Sequence, residues 1–369
     1  MHIQESALDS TVVLRIAKEY KAELVISVSM DSANIVACEV GEKLGLPVPY
    51  SSEAAQCSTN KDLMKEIMLA YDIPTSRYVV AHNCECLVDL PLLYPVVIKP
   101  VDRTGGIGIN IAHSSEELPI YLNKALQESW MHRALIEEFV EGNQISVDCF
   151  VQNGRIETLF IRDIRVNAKH DSAYHGLNFG SISPSRVSGE VTKAVRKIAE
   201  RIVDAFQLRS TVFLIQAIVS NKTVSVIELA LRIGGGSGAE ILKSAIGFDP
   251  IDAMVDSFLH LPVKQKVRES EGCFLSRVLY AREGVFKCIE GCSELLERGV
   301  IDSFHAAKTE GALIGSEENT RHRVGYFIIK ADTLKQALEK EQHVLSRIEA
   351  YDDMNEPMLL RDVFIDKAW

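Results

Sequence analysis

Residues 94–113 read YPVVIKPVDRTGGIGINIAH: an apolar strand that ends on Lys99, a turn with glycines at 105, 106 and 108, and a second short strand. Glycine lets the backbone turn tightly and approach an anion, so successive N–H groups can converge on phosphate oxygens while the strand end holds the Lys99 ammonium beside them. In isolation the same letters also describe a glycine-rich β-turn with a surface lysine.

A second segment narrows the choice. Residues 211–219 and 223–231 form a hairpin pattern turned at Asn221-Lys222, which sets Gln216 and Glu228 on one face of a strand pair. Two oxygen-bearing side chains there suit magnesium, an ion that prefers few protein ligands and completes its shell with phosphate oxygens. Glu228 lies among Val226, Ile227, Leu229 and Leu231 and is followed by RIGGGSG, so a purely structural carboxylate is the weaker reading. Arg232, four residues on, is placed to neutralise charge on a transferred phosphoryl group.

Around these segments the pattern alternates. Residues 11–20 are amphipathic, 23–29 read as a short apolar strand, and 32–44 return to helical spacing, the βα layering of a parallel sheet. No strand and glycine turn precede them, so this amino-terminal lobe, residues 1–80, reads as incomplete and its front as truncated. A helix over 58–70 and a linker to Pro91 follow. Beyond 94–113 come a helix with a capping box at Ser114 and Glu117, and then strands over 134–139, 144–151 and 155–164. Together these make a small antiparallel lobe over 91–166. A polar loop over 167–186 leads to a central lobe over 167–263, whose helix carries Val191, Val195, Ile198, Ile202 and Phe206. Asp249 and Pro250 open a later helix, and residues 264–369 form a strand-rich α+β unit packed on the central lobe.

Forty basic against fifty-one acidic residues leave a net charge of −11, which argues against a nucleic-acid or anionic-membrane partner. Any bound anion must meet a local cluster of cations. The chain shows neither a membrane-spanning run nor a signal-peptide core, which makes the cytoplasm the expected compartment. Its eight cysteines follow no disulfide framework and read as reduced thiols. His82, Cys84 and Cys86 are the nearest approach to a metal cluster and are read as an ordinary loop.

In order, TNKDLMK with Lys61, Lys99 with its loop, LIEEFVEG, and IELALRIGGG make four separated motifs over roughly residues 20–260. In this the chain resembles the ATP-grasp family. The resemblance implies ATP held between two lobes, with Lys61 and Lys99 on its phosphates. The loop carrying Arg103, Gly105, Gly106 and Gly108 would close over them, and Glu137, Glu138, Phe139 and Val140 would form the hinge beside adenine. Gln144 would meet the ribose, Gln216 and Glu228 would hold Mg2+, with Mn2+ as a substitute, and Arg232 and Lys99 would act on the reacting phosphate. Two positions depart from the family pattern: Gln144 stands in place of a ribose-binding glutamate, and Ala230 in place of an asparagine metal ligand.

The GFDP turn and the late GVFKCIEG and HRVGYFII segments look like the branch that contains amino-acid ligases and carbamoyl-phosphate-synthase-like proteins. That implies an ADP-forming carboxylate–amine ligase acting through an acyl phosphate on small-molecule substrates. The alternatives are a carbamoyl-phosphate-synthase-like or nucleotide-biosynthesis enzyme, and an inactive ATP-binding partner or sensor. Further anion-binding candidates are Arg162, Arg165, Lys169, His170, His175 and Asn178 around the polar loop, and Arg321 and Arg323 at a strand start. An incomplete amino-terminal sheet would also leave an edge for a homodimer.

Overall fold

The structure is a computed structural model that describes residues 2–83, 91–167, 177–315 and 320–361. Four helices come first: α1 (Ser10–Glu19), α2 (Asp31–Leu44), α3 (Ser52–Thr59) and α4 (Lys61–Ala70). Asp9 caps α1 by accepting the Thr11 and Val12 N–H groups, and Val13, Leu14 and Ala17 pack against Val36 and Val40 of α2. The strand expected over 23–29 is not formed. Its apolar alternation buries Leu24, Ile26 and Val28 against the main core, but it pairs with no strand, and Val28 O accepts the Ile233 N–H at 3.0 Å instead. The helix expected over 58–70 is broken at Asn60, which is extended (φ −82°, ψ 113°) and sends the Lys61 N–H out to Val101 O at 2.9 Å. That bond ties the start of α4 to the end of the Lys99 strand.

A four-stranded antiparallel sheet follows, built from β1 (Tyr78–Ala81), β2 (Val96–Pro100), β3 (Asn110–Ala112) and β4 (Ala134–Glu138) in the order β1-β4-β2-β3. Helix α5 (Leu118–Glu128) covers it, Leu118, Leu122 and Ala125 meeting Val96, Ile98, Ala112 and Ile136. The capping box is not closed: Glu117 Oε2 accepts the His113 N–H at 2.8 Å, and Pro119 stiffens the first turn.

The chain then crosses at residues 139–142 into an eight-stranded antiparallel sheet. Its first members are β5 (Asn143–Gln152) and β6 (Arg155–Val166), which the strand pattern assigns to the small lobe over 91–166; local alternation does not say which sheet a strand joins. β7 (Asn178–Ser183) lies inside the stretch expected as a polar loop. Helix α6 (Gly189–Ala205) packs its predicted apolar stripe into the core, followed by the hairpin β8 (Thr211–Ser220) and β9 (Thr223–Ala230) with Asn221 and Lys222 both at positive φ. Two helices, α7 (Gly238–Ile246) and α8 (Pro250–Phe258), complete this region, the latter capped by Asp249.

From here the segment after residue 272 is not a separate layer. Strand β10 (Cys273–Tyr280) joins β7; β11 (Gly284–Glu290), α9 (Cys292–Glu297), β12 (Ser303–Ala306) and β13 (Leu313–Ile314) follow, and then a short 3-10 turn at Thr320–His322 leads into β14 (Arg323–Ala331). The large sheet runs β12-β14-β10-β7-β6-β5-β8-β9, so three of these late strands extend it. Helix α10 (Leu334–Leu345) packs over β10 and β14, and β15 (Glu349–Asp352) closes a three-stranded sheet in the order β13-β11-β15. The described residues contain no helix long and apolar enough to cross a membrane.

Candidate active site

Lys99 is the second-to-last residue of β2 and is 4% exposed. Its Nζ is 2.6 Å from Glu137 Oε1 on the neighbouring strand β4. The other oxygen, Oε2, accepts from Ser76 Oγ at 2.8 Å and from Lys65 Nζ at 3.2 Å. Burial acts to raise the Glu137 carboxyl, but the ammoniums of Lys99 and Lys65 and the Ser76 hydroxyl overcome it and hold the group at about 2. Burial lowers Lys65 to about 8 despite the pull of Glu137, and the like charge of Lys99 adds to the lowering. Thr75 Oγ1 accepts from Lys65 at 2.5 Å and donates to Val226 O at 2.8 Å, which joins this group to β9.

Lys61 starts α4 and is 5% exposed. Its Nζ donates to Arg103 O at 2.6 Å and lies 3.7 Å from Glu228 Oε2. The glycine turn and the Glu228 carboxylate therefore meet at the Lys61 ammonium. Gly105, Gly106 and Gly108 have φ of +69°, +78° and +72°, and a Cβ on Gly108 would stand 2.7 Å from Pro100 Cγ. A side chain at 108 would thus be both strained and crowded. Thr320 Oγ1 donates to Gly105 O at 2.8 Å, bringing the late 3-10 turn against the loop. Arg103, expected at the phosphates, turns away: Nη2 pairs with Glu128 at 3.2 Å and the guanidinium lies 4.3 Å over the Trp130 ring.

Gln216 and Glu228 stand directly opposite each other in the β8–β9 ladder, as the hairpin pattern required. Ser146 of β5 is opposite Gln216, so Gln144, two residues earlier, projects from that same face. The Glu228 side chain is 34% exposed, open enough to take an ion. Among the described residues no group of three His, Cys, Asp or Glu side chains gathers as a metal site. Two oxygen donors beside the glycine turn nevertheless fit magnesium, whose remaining ligands are ordinarily phosphate and water. Ala230 is buried opposite Leu214 and contributes no oxygen.

Arg232 is not a free cation. Nε and Nη2 reach Asp31 Oδ1 and Oδ2 at 2.6 and 2.7 Å, and Nη1 donates to Ile233 O at 2.9 Å. Burial opposes the charged form, but the Asp31 hydrogen bonds and charge outweigh it and raise the guanidinium's pKa. The flanking residue is also gripped from the amino-terminal segment, since Leu231 O accepts from Asn34 Nδ2 at 3.2 Å and from the Tyr50 hydroxyl.

The predicted hinge occupies the crossing between sheets. Glu137 closes the buried lysine group, Glu138 pairs with exposed Arg77, and the Phe139 N–H donates to Pro95 O at 3.1 Å while its ring is 40% exposed. Of the polar-loop candidates, the three that lie among the described residues are each engaged within the fold. Arg162 is buried against Asp148 at 2.8 Å and Arg165 against Glu341 at 2.7 Å; Asn178 Oδ1 accepts the Gly180 N–H at 2.8 Å. Lys169, His170, His175, Cys84 and Cys86 lie outside the described residues, and the other six cysteines are free thiols. Arg321 and Arg323 follow Thr320 at the glycine loop, and Arg323 Nε is buried without a hydrogen-bond partner.

Sequence reading passed over Lys65, Thr75, Ser76, Asp31 and Thr320. Only Lys65 left a usable signal, because it follows Lys61 by four residues and so shares its face of α4.

Residues 59–237 match the family described as phosphoribosylglycinamide synthetase, ATP-grasp (A) domain, and residues 277–351 match L-amino acid ligase C-terminal domain 2. The chain is 30% identical over 141 residues to the multifunctional protein pyr1-3 of Dictyostelium discoideum, covering 38% of this chain and 6% of that protein. It is 27% identical over 206 residues to the formate-dependent phosphoribosylglycinamide formyltransferase of Ignicoccus hospitalis, 53% of this chain and 50% of that one. The chain thus spans half or less of these relatives. A solved L-amino acid ligase from Bacillus licheniformis superposes with a TM-score of 0.77 at 17% identity, over 94% of this chain and 85% of that one, which is a likeness of fold.

Proposed function

The chain belongs to the ATP-grasp superfamily, and on that premise we propose that it is an ADP-forming ligase joining a small carboxylate, such as an amino acid, to an amine. The observation that carries this reading is the meeting at Lys61 of Arg103 O from the glycine loop and Glu228 from the hairpin. Three segments far apart in sequence converge where a polyphosphate would need cations, backbone N–H groups and a metal-binding carboxylate together.

A carboxylate oxygen attacks the γ-phosphorus of ATP, the bond to the β-phosphate oxygen breaks and ADP leaves. The amine nitrogen then attacks the acyl carbon, phosphate departs and the nitrogen gives up a proton. Little covalent help is required of the protein. Lys61 and Lys99 balance phosphate charge, and the turn at 105–108 aims backbone N–H groups at the phosphates. Gln216 and Glu228 would hold magnesium, which supplies further charge neutralisation. Arg232, steadied by Asp31, has N–H groups left to face the reacting phosphate.

The test is ADP release with hydroxylamine present, using Mg-ATP and separate panels of amino acids, formate and bicarbonate. Amino-acid-dependent hydroxamate supports the ligase. Turnover with formate or bicarbonate alone moves the protein to the carboxyl-activating relatives, and tight ATP binding with no ADP from any acid removes the enzymatic reading.

A further inference from the structure

Lys65 takes no part in the proposed reaction, yet it is fully buried on α4, 0% exposed. It and Lys99 divide one carboxylate: Lys99 Nζ takes Glu137 Oε1 at 2.6 Å and Lys65 Nζ takes Oε2 at 3.2 Å. The remaining polar contacts of this ammonium, to Thr75 Oγ1 at 2.5 Å and Ser76 Oγ at 2.9 Å, are with uncharged groups.

We infer that Lys65 is a positioning residue for the nucleotide phosphates: it fixes Glu137, which in turn holds Lys99, and it supplies the surplus positive charge that this group presents. The inference rests on the ATP-binding reading of the same site. Two ammoniums on one carboxylate leave one net positive charge, whereas with a neutral Lys65 the charges of Lys99 and Glu137 cancel. A buried charge with so little water around it acts on a neighbouring polyanion with little screening. The groups facing Lys65 are Glu137 from β4, Lys99 from β2, Glu228 from β9 and the Tyr78 ring of β1 at 5.8 Å.

Because burial brings Lys65 down to about 8, its charge is exchanged at moderately alkaline pH. An unfolded lysine titrates near ~10.4. Between these values the unfolded chain binds more protons than the folded one, so this group makes stability rise with pH. A bound polyphosphate favours charged Lys65, so nucleotide affinity falls as pH rises through about 8. The two trends oppose each other. A general alkaline loosening of the fold, or a lysine that merely filled space, would not separate them.

The experiment is calorimetric titration of the full chain with ADP and magnesium from about pH 7 to about pH 9.5, with urea unfolding at each pH. The expected wild-type result is an affinity falling roughly tenfold across this range, with no parallel fall in stability. Lys65→Arg keeps its charge and removes the fall, while Lys65→Met begins about tenfold weaker and is flat. A flat wild-type profile, or a fall of the same midpoint in either variant, overturns the inference. If Lys65→Met does not fold, the arginine variant decides alone. A wild-type chain that binds no ADP at any pH overturns the ATP reading and this inference with it. Binding that is indifferent to residue 65 overturns only the inference.

Discussion

The cleft has two walls built on opposite principles. On the small-sheet side Lys65, Glu137 and Lys99 are enclosed at 0%, 5% and 4% exposure, and both ammoniums are paired to the one carboxylate. On the hairpin side Glu228 is a third exposed, with only the looser 3.7 Å contact to Lys61. The first wall is assembled by folding and the second leaves a carboxylate open. Charge that is buried and paired is costly to break, because the orphaned partner stays in a dry environment, whereas a half-exposed carboxylate is rescued by water. Stability and function should therefore respond in opposite order to substitutions on the two sides.

Removing the shared carboxylate is the hardest blow. Glu137→Ala leaves two buried ammoniums facing each other, and urea unfolding should show a loss of about 3–5 kcal/mol. In the wild type this carboxyl is held at about 2, below the ~4.3 of an unfolded glutamate. Its contribution is present above that unfolded value and disappears as pH falls through the window toward about 2. A Glu137→Ala chain as stable as wild type at neutral pH would break the comparison at its stronger end.

An intermediate case sharpens it. The Asp31 and Arg232 side chains are 12% and 14% exposed, between the two walls in burial. Asp31→Ala strips both carboxylate contacts from Arg232 but leaves Nη1 on Ile233 O, and we expect a loss of about 1–3 kcal/mol in the same assay. ADP formation should fall as well, since the guanidinium loses its fixed orientation. A stability loss without any change in turnover would make Asp31 a staple of the amino-terminal segment and detach Arg232 from the chemistry.

The two walls were unequally legible in the sequence. Gln216 and Glu228 were readable because strand alternation and a turn at 221–222 fix both register and face locally, and the ladder has them opposite each other. The glycine loop was legible for the same local reason. Of the lysine group only the four-residue spacing of Lys65 from Lys61 was legible; its pairing was not, because Glu137 lies 72 residues on and is brought to it by the fold. The pairing of Asp31 with Arg232 spans 201 residues and left no local trace. The partners of Arg103 were equally hidden, since a cation in a glycine-rich loop gives no sign that Glu128 and Trp130 will engage it. The same limit explains the large sheet. Each of β5, β6 and β14 is readable by itself, but their membership of one eight-stranded ladder is a non-local fact.

At the weak end of the stability scale lies Glu228→Gln, which should change unfolding free energy by less than about 1 kcal/mol, because the group is a third exposed and its pairing is loose. Its effect on binding should depend on metal and change sign. Without magnesium the carboxylate repels phosphate, so the glutamine variant should bind ADP as tightly as wild type or more tightly. With magnesium the wild type gains a ligand that the amide supplies only feebly, so the variant should bind Mg-ADP more weakly and lose most ADP formation, on the order of 100-fold. Titrations with and without magnesium decide it. Equal losses in both would make Glu228 an ordinary structural carboxylate, and the hairpin wall would then be as finished by folding as the lysine wall opposite.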